Sequence, residues 1–353
     1  MPVVTAPVVA LPRYQVTTDE LIKEISELYA DEPRLAAGCR AIRGTTIQTR
    51  WYTRPPMEWL RRQPPVEQQA REHLEASLEL AERAARGALR EAGLCVGEVD
   101  AIVVTSATGH TMPGLDVGLV RRLDLRPSVR RIPVTQMGCA GGVFGISTAM
   151  ELVAARPEAN VLVVCADVFS YYLNHADTDM TGLILKGLFA DAAGACVVRG
   201  SANGPHMELT GSWECLHLGS QDVVGTRTSS HGLHGYNSPV LVNAIRGVLP
   251  RLVEWLELTA PPGENGRPEF IVSHTGGPRI IDALAAGIGG PPELFGLARD
   301  SLRDVGNVGS ASVLEVLERT FAKPPADGAR GLLLAAGPGV AIMAVKAVWH
   351  DEV

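Results

Sequence analysis

The chain has 353 residues, of which 46% are hydrophobic and 20% charged, and 32 basic against 39 acidic side chains leave a net charge of −7. A length of this order predicts about two to three structural units around a large core. The acidic balance excludes general nucleic-acid binding, which needs a basic footprint, but leaves room for a local basic pocket that takes an anion.

The opening "MPVVTAPVVALPRYQV" has no basic region ahead of an apolar core, so no signal peptide is expected. The first helix is predicted from Thr18 to Ala30, with Thr17 and Glu20 spaced as a capping box. "RPPMEWLRRQPPVE" reads as a loop with a short turn of helix. A long helix follows at about 66–92, where Leu74, Leu78, Ala81, Ala85 and Leu89 recur at helical spacing and Gly93 ends the run.

An α/β rhythm then sets in. "DAIVVTSATG" reads as a buried strand, "GLDVGLVRRLDL" as a helix, "RRIPVTQM" as a short strand and "AGGVFGISTAMELVAARP" as a helix. "NVLVVCADV" is a continuous apolar strand of the kind covered on both faces, and "AGACVVRG" is another strand. After about 205 come a strand in "HMELTGSWECLHL", a helix in "SPVLVNAIRGVLPRLVEWLEL", a strand in "EFIVSHTGGP" and helices in "RIIDALAAGIG" and "SASVLEVLERTF". The chain closes with a strand–turn–strand in "GARGLLLAAGPGVAIMAVKAVW". "AIVVTSATG" parallels "EFIVSHTGG", each a strand closing in a polar, glycine-bearing turn, which suggests two α/β units packed on one another. No apolar run approaches the roughly 18 residues that span a membrane, and the expected location is the cytoplasm.

The six cysteines, at 39, 95, 139, 165, 196 and 215, form no CxxC pair, which argues against structural zinc. Cys165 and Cys196 sit in apolar runs as small core residues. Cys139 is different, since "QMGCAGGVFG" places it among glycines where a strand gives way to a helix. Backbone N–H groups at a helix start favour an anion, and for a cysteine that means a thiolate with a lowered pKa. The bland alternative is a buried cysteine beside a packing turn. A phosphate loop fits less well, because neither GxGxxG nor GxxxxGK[ST] is present.

His274 in "VSHTGGPRI" ends a buried strand, and Asn307 in "DVGNVGSAS" lies in a Gly-rich loop before a helix. Each alone reads as a satisfied strand-end or turn residue. With Cys139 they supply a nucleophile, an acid/base and an amide donor. A papain-like protease also uses Cys, His and Asn, with the His about 130–150 residues downstream. That spacing is met here, but the local signature C-G-[SA]-C-[WY] is missing.

From about residue 10 to the C-terminus the chain resembles the type III polyketide synthases, the chalcone synthase-like branch of the thiolase superfamily. The resemblance is carried by "GCAGGVFG", "SHTGGP", "GNVGSAS", "SATGHTMPG", "GLFADAAGACVV" and "AAGPGV". It implies an α/β, thiolase-like αβαβα layered fold made of two similar halves, 1–205 with the nucleophilic cysteine and 206–353 with the histidine and asparagine. It implies a homodimer that binds neither nucleic acid nor membrane. The implied reaction is iterative decarboxylative condensation of malonyl-CoA onto an acyl-CoA starter held on Cys139, then cyclisation. A ketosynthase III-like single condensation is the alternative, and a non-catalytic partner protein would lack one of the three residues. His274 and Asn307 would bind the malonyl thioester oxygen and stabilise the enolate, with no metal or bound organic cofactor.

The resemblance also implies cavity positions and departures from the plant pattern. Ala107 replaces a Thr or Cys and Gly309 a Ser, which predicts an enlarged cavity. The two aromatic positions fall on Met207 in "HMELTG" and on His234 and Gly235 in "HGLHGY". Met112 matches a residue that crosses to the partner's cavity, while Arg50 in "IQTRWY" and Arg279 in "GGPRI" lie where the CoA nucleotide is contacted.

Overall fold

The computed structural model describes residues 1–62, 64–229, 232–263 and 265–351. The chain opens with short strands β1 (Val3–Val4), β2 (Val8–Ala10) and β3 (Tyr14–Thr17), then α1 (Thr18–Leu28), α2 (Leu35–Arg43), β4 (Thr49–Tyr52), α3 (Pro56–Arg61) and the long α4 (Val66–Glu91). Next come β5 (Ala101–Thr105), α5 (Leu115–Leu123), β6 (Arg130–Val134), α6 (Gly141–Ala155), β7 (Val161–Asp167), α7 (Met180–Leu188) and β8 (Ala192–Arg199). The remainder is β9 (His206–Leu216), an antiparallel pair β10 (Val224–Ser229) and β11 (Gly232–Asn237), α8 (Leu241–Leu258), β12 (Phe270–Ser273), α9 (Pro278–Ile288), α10 (Gly296–Val305), α11 (Ser312–Ala322), β13 (Arg330–Gly337) and β14 (Ala341–His350).

Local rules account for the predicted boundaries. Thr17 caps α1 by accepting from the Glu20 N–H, and the Glu20 carboxylate accepts from Thr17 N at 2.8 Å. The helix ends two residues earlier than predicted, at Leu28. α4 buries Leu78, Ala81, Ala85 and Leu89 on one face and stops just before Gly93, as the 3.6-residue period requires.

Strand order is β12–β13–β14–β9–β1–β8–β7–β5–β6, with β2 also on β8. α4 packs on β7 and β8 from one side, and α6 packs on β5, β7 and β8 from the other while also touching β13 and β14. α11 likewise touches β8, β12 and β13, and α8 lies against β9 with α9 on it. Helices α6 and α11 therefore form a central layer between the strands of the two halves, giving the αβαβα architecture. β7 is buried at all seven positions. At about 1.5–3 kcal/mol per fully buried aliphatic side chain, Val161 to Val164 contribute on the order of 6–12 kcal/mol before conformational entropy is subtracted. The strand can therefore carry a costly group at its end, and that group is Asp167.

Sequence reading gave no strands before residue 100 and no α2, α7 or α10. β1 has two residues, too few for any periodicity to show, and α7 contains two glycines that lower helix propensity. One expectation is corrected: Gly138–Ala155 is 18 residues long and apolar enough to cross a membrane. The stretch is a central-layer helix touching strands of both halves, and its apolarity serves the core.

Candidate active site

Cys139 sits in a short 3-10 turn, Gly138–Ala140, between β6 and the start of α6. The first turn of α6 passes directly over the Gly309–Ala311 turn from the other half. A side chain at Gly142 would collide with the Ser310 carbonyl oxygen and with Val313. The glycine thus allows two backbones to approach, which is what brings the cysteine to the second half.

His274 follows the last residue of β12, is buried, and is anchored by its N–H donating to the Leu334 carbonyl at 2.8 Å. The Thr275 hydroxyl donates to the Gly306 carbonyl at 3.2 Å and ties this turn to the Asn307 loop. Asn307 N donates to the Leu188 carbonyl at 3.0 Å, and Ala190 N donates to the Asn307 carbonyl at 2.9 Å. The Asn307 side-chain oxygen accepts from Gly309 N at 2.9 Å. The NH2 end of the amide is then left to act on the Cys139 thiol, whose pKa the Asn307 side chain lowers.

Asp167, buried at the end of β7, joins the loops. Its Oδ1 accepts from Thr108 N at 3.2 Å, from the Ser106 hydroxyl at 3.4 Å and from Ala107 N, while Oδ2 accepts from Ser310 N at 2.7 Å and the Ser310 hydroxyl at 2.8 Å. One carboxylate therefore fixes the turn after β5 against the loop that carries Asn307.

An aromatic wall stands beside these groups. Phe169 stacks on Phe189 with centroids 4.0 Å apart and meets Tyr172 edge-on at 6.0 Å, and Tyr172 stacks on His110 at 5.9 Å. Phe189 bridges to Asn307 in parallel fashion.

The electrostatics run against the thiolate expected from sequence. Burial first, and the Asp167 charge second, push the Cys139 thiol up to about 12, while the Asn307 side chain and the residue's own backbone N–H pull it down. Burial draws the His274 imidazole down to about 4, opposed by the Gly309 backbone. Cys139 as a residue is only partly buried, but its sulfur lies deep enough for desolvation to win. The helix start at residues 138–141 does not offset this burial. Near neutral pH these shifts leave Cys139 as a thiol and His274 as a neutral imidazole. Alkylation of Cys139 by iodoacetamide should keep accelerating beyond the thiol's ordinary value of 9.0. A plateau near neutral pH would instead reveal a preformed ion pair.

The two halves of the chain match family models. Residues 30–202 match the chalcone and stilbene synthase N-terminal domain, and residues 255–348 match the corresponding C-terminal domain. The chain belongs to the chalcone and stilbene synthase family. It is 30% identical to a 1,3,6,8-tetrahydroxynaphthalene synthase of Streptomyces griseus, with 98% of this chain and 92% of that protein covered. It is also 30% identical to a phloroglucinol synthase of Pseudomonas fluorescens, covering 94% and 95%. The crystal structure of the tetrahydroxynaphthalene synthase of Streptomyces coelicolor A3(2), a bacterial type III polyketide synthase, superposes with a TM-score of 0.93 at 29% identity over 99% of each chain. As a type III polyketide synthase the chain is an acyl-condensing transferase with a thiolase-like fold.

Several positions transferred from the chalcone and stilbene synthase pattern land elsewhere. Arg50 is fully buried, with Nε donating to the Gly187 carbonyl at 2.7 Å, Nη2 to the same oxygen and Nη1 to the Thr18 hydroxyl at 2.8 Å. It locks β4 to α7 and cannot reach a nucleotide. Met207 is fully buried and pairs with Val4 and Trp349 at the start of β9, whereas the other end of that strand, at Leu216, pairs with Ala341 beside the Pro338 turn that packs on Gly138. Nine residues of strand at about 3.3 Å each separate Met207 from the Cys139 turn.

Gly309 does not enlarge a cavity. Its φ of +61° favours glycine, and a Cβ there would collide with Asp167 and come within 3.0 Å of the Phe169 ring. The space is already filled by the Asp167 carboxylate, with the Phe169 ring beside it. Ala107 is half-buried with its N–H on Asp167, and Gly235 lies on β11 facing Leu185, in a small cavity shared with Tyr172. His231 of the same segment lies outside the described residues. Met112 is 97% exposed on the loop before α5, and Arg279 is exposed in the first turn of α9, five residues after His274.

Asp167, Phe169, Tyr172 and Phe189 were not singled out from sequence. The signal for Asp167 was present as a lone acid closing a run of apolar residues. Phe189 stands inside the "GLFADAAG" motif itself.

Proposed function

We infer that the enzyme performs iterative decarboxylative condensation of malonyl-CoA onto an acyl-CoA starter bound as a Cys139 thioester, followed by cyclisation to an aromatic or pyrone product. The carrying observation is that the Cys139 turn of the first half packs on the Gly309–Ala311 turn of the second, next to Asn307, whose side chain lowers the Cys139 thiol pKa. In this reading neutral His274 accepts the thiol proton as Cys139 attacks the starter, the acyl–CoA carbon–sulfur bond breaks, and CoA leaves as the thiol with that proton. His274 and the Asn307 NH2 then hold the malonyl thioester oxygen, and loss of CO2 leaves an enolate whose charge they stabilise. The enolate carbon attacks the Cys139 thioester, extends the chain by two carbons and frees the sulfur. The reading needs no metal or bound organic cofactor, because both carbon units arrive as thioesters.

The names of the relatives, which include tetrahydroxynaphthalene, phloroglucinol and α-pyrone synthases, support a cyclised product. The aromatic wall of Phe169, Phe189 and Tyr172 supports a short or flat starter over a bulky one. Exposed Met112 supports a homodimer in which its loop docks on the second copy, and exposed Arg279 supports a phosphate contact to CoA. Neither a membrane nor a nucleic acid enters the reading. Product masses from malonyl-CoA with a graded series of acyl-CoA starters test it. Masses corresponding to two or more extensions are expected. A single extension with every starter would replace this reading with a one-step ketosynthase.

A further inference from the structure

Outside the condensing site, one set of side chains has the order and spacing of a hydrolytic relay. The Ser229 hydroxyl lies 2.7 Å from His234 Nε2, and His234 Nδ1 lies 2.7 Å from Asp177 Oδ1. Ser229 ends β10, His234 is on β11 and Asp177 precedes α7. In the register of the pair, His234 is directly opposite Arg227, which places both side chains on one face, and Ser229 two residues further along β10 shares that face. The His234 and Asp177 side chains are 29% and 24% exposed, so the imidazole–carboxylate contact is partly shielded, while Ser229 faces solvent. A nucleophile within hydrogen-bond reach of a base, with that base oriented by a third group, is the geometric test for an activated serine.

We propose that Ser229, His234 and Asp177 form a second catalytic centre, a serine hydrolase relay that cleaves acyl thioesters. The substrate class rests on the condensing function inferred above. The β10 strand touches the wall of that site, since the Tyr172 hydroxyl meets the Thr226 hydroxyl and the Tyr172 ring meets Phe169. Thr226 lies on the opposite face of β10 from Ser229, so the relay backs onto that wall across a single strand. Ser229 Oγ attacks the thioester carbonyl and gives its proton to His234 Nε2, with Asp177 holding the Nδ1 proton. The carbon–sulfur bond breaks, and the CoA thiolate leaves with the proton from His234. Water then gives a proton to His234 and its oxygen to the acyl carbon, the free acid departs, and Ser229 recovers its proton. Arg227, paired with Asp222 at 3.2 Å, brings a cation to the face where the carbonyl oxygen gains charge.

The test uses full-length Cys139→Ala enzyme, so that the condensing cysteine contributes nothing. A fluorophosphonate probe should phosphonylate Ser229, located by peptide mass spectrometry. His234→Gln should slow that labelling by about 10²-fold or more, the usual contribution of a general base, and Asp177→Asn should slow it as well. In the same background, release of CoA thiol from acetyl-CoA should be lost with Ser229→Ala, an exposed position where alanine empties no core. An unlabelled Ser229, or thioester hydrolysis equal with and without Ser229, overturns the proposal. A failure of condensation in the wild-type enzyme would leave this result untouched, so the two readings fall separately.

Discussion

Alanine at Cys139 is expected to abolish covalent loading: after incubation with acyl-CoA, the intact protein should show no acyl mass, while the wild type gains one acyl group. Turnover should fall by on the order of 10⁴–10⁶-fold, as when a nucleophile that works as a unit with its base is removed. The expectation rests on position, because the Cys139 turn packs against the Gly309–Ala311 turn beside Asn307. Asn307→Ala makes the contrast. That variant keeps the sulfur and should still load, yet CO2 release from malonyl-CoA should fall by about 10²–10³-fold, the cost of losing one oxyanion donor. Persistent acylation of Cys139→Ala would move the nucleophile to another residue, and equal loss of loading in both variants would give Asn307 a structural role only.

The second large effect is expected at Asp167. Alanine there leaves five donors from Ser106, Ala107, Thr108 and Ser310 without their acceptor, around a carboxylate fully closed to water. Each unsatisfied buried donor costs about 1–3 kcal/mol before relaxation, so a net loss of about 3–5 kcal/mol is expected from denaturant unfolding. Asp167→Asn keeps the shape and one acceptor oxygen but sets an NH2 among donors, and should recover part of the stability. It also removes a negative charge that raises the Cys139 thiol pKa. The sign follows directly: with the charge gone the thiolate costs less, so alkylation at neutral pH should be faster in Asp167→Asn than in wild type. An unaltered unfolding midpoint in Asp167→Ala would show that the five donors find other partners.

What could be read in the sequence divides along physical lines. Long periodic elements such as α4 and β7 were legible because each is a repeated pattern over many residues. Cys139, His274 and Asn307 stand out in the sequence because each lies in a glycine-bearing turn at the end of an element, and the structure packs the cysteine turn against the Gly309–Ala311 turn beside Asn307. The ionisation state was not legible. Helix-start arguments favour a thiolate, but burial and the Asp167 charge act at the sulfur through space, and Asp167 is 28 residues away in the chain. Arg50 and Met207 failed for the same reason. A motif position says which residue aligns, but not that Arg50 is enclosed by Gly187 and Thr18, or that Met207 lies at the far end of its strand. Gly309 misled in the opposite sense. Removing a side chain opens space only if nothing fills it, and here the Asp167 carboxylate and the Phe169 ring do.

The two-residue strand β1 has a further consequence. Val3 and Val4 pair with Arg199 and Val198 on one side and with Glu208 and Met207 on the other, and the Pro2 carbonyl accepts from Leu209 N at 2.8 Å. The first few residues therefore act as a splint across the 200–205 connection. A backbone cut there would still leave both fragments hydrogen-bonded through β1, so protein engineers could supply the cysteine-bearing and histidine-bearing pieces as separate polypeptides.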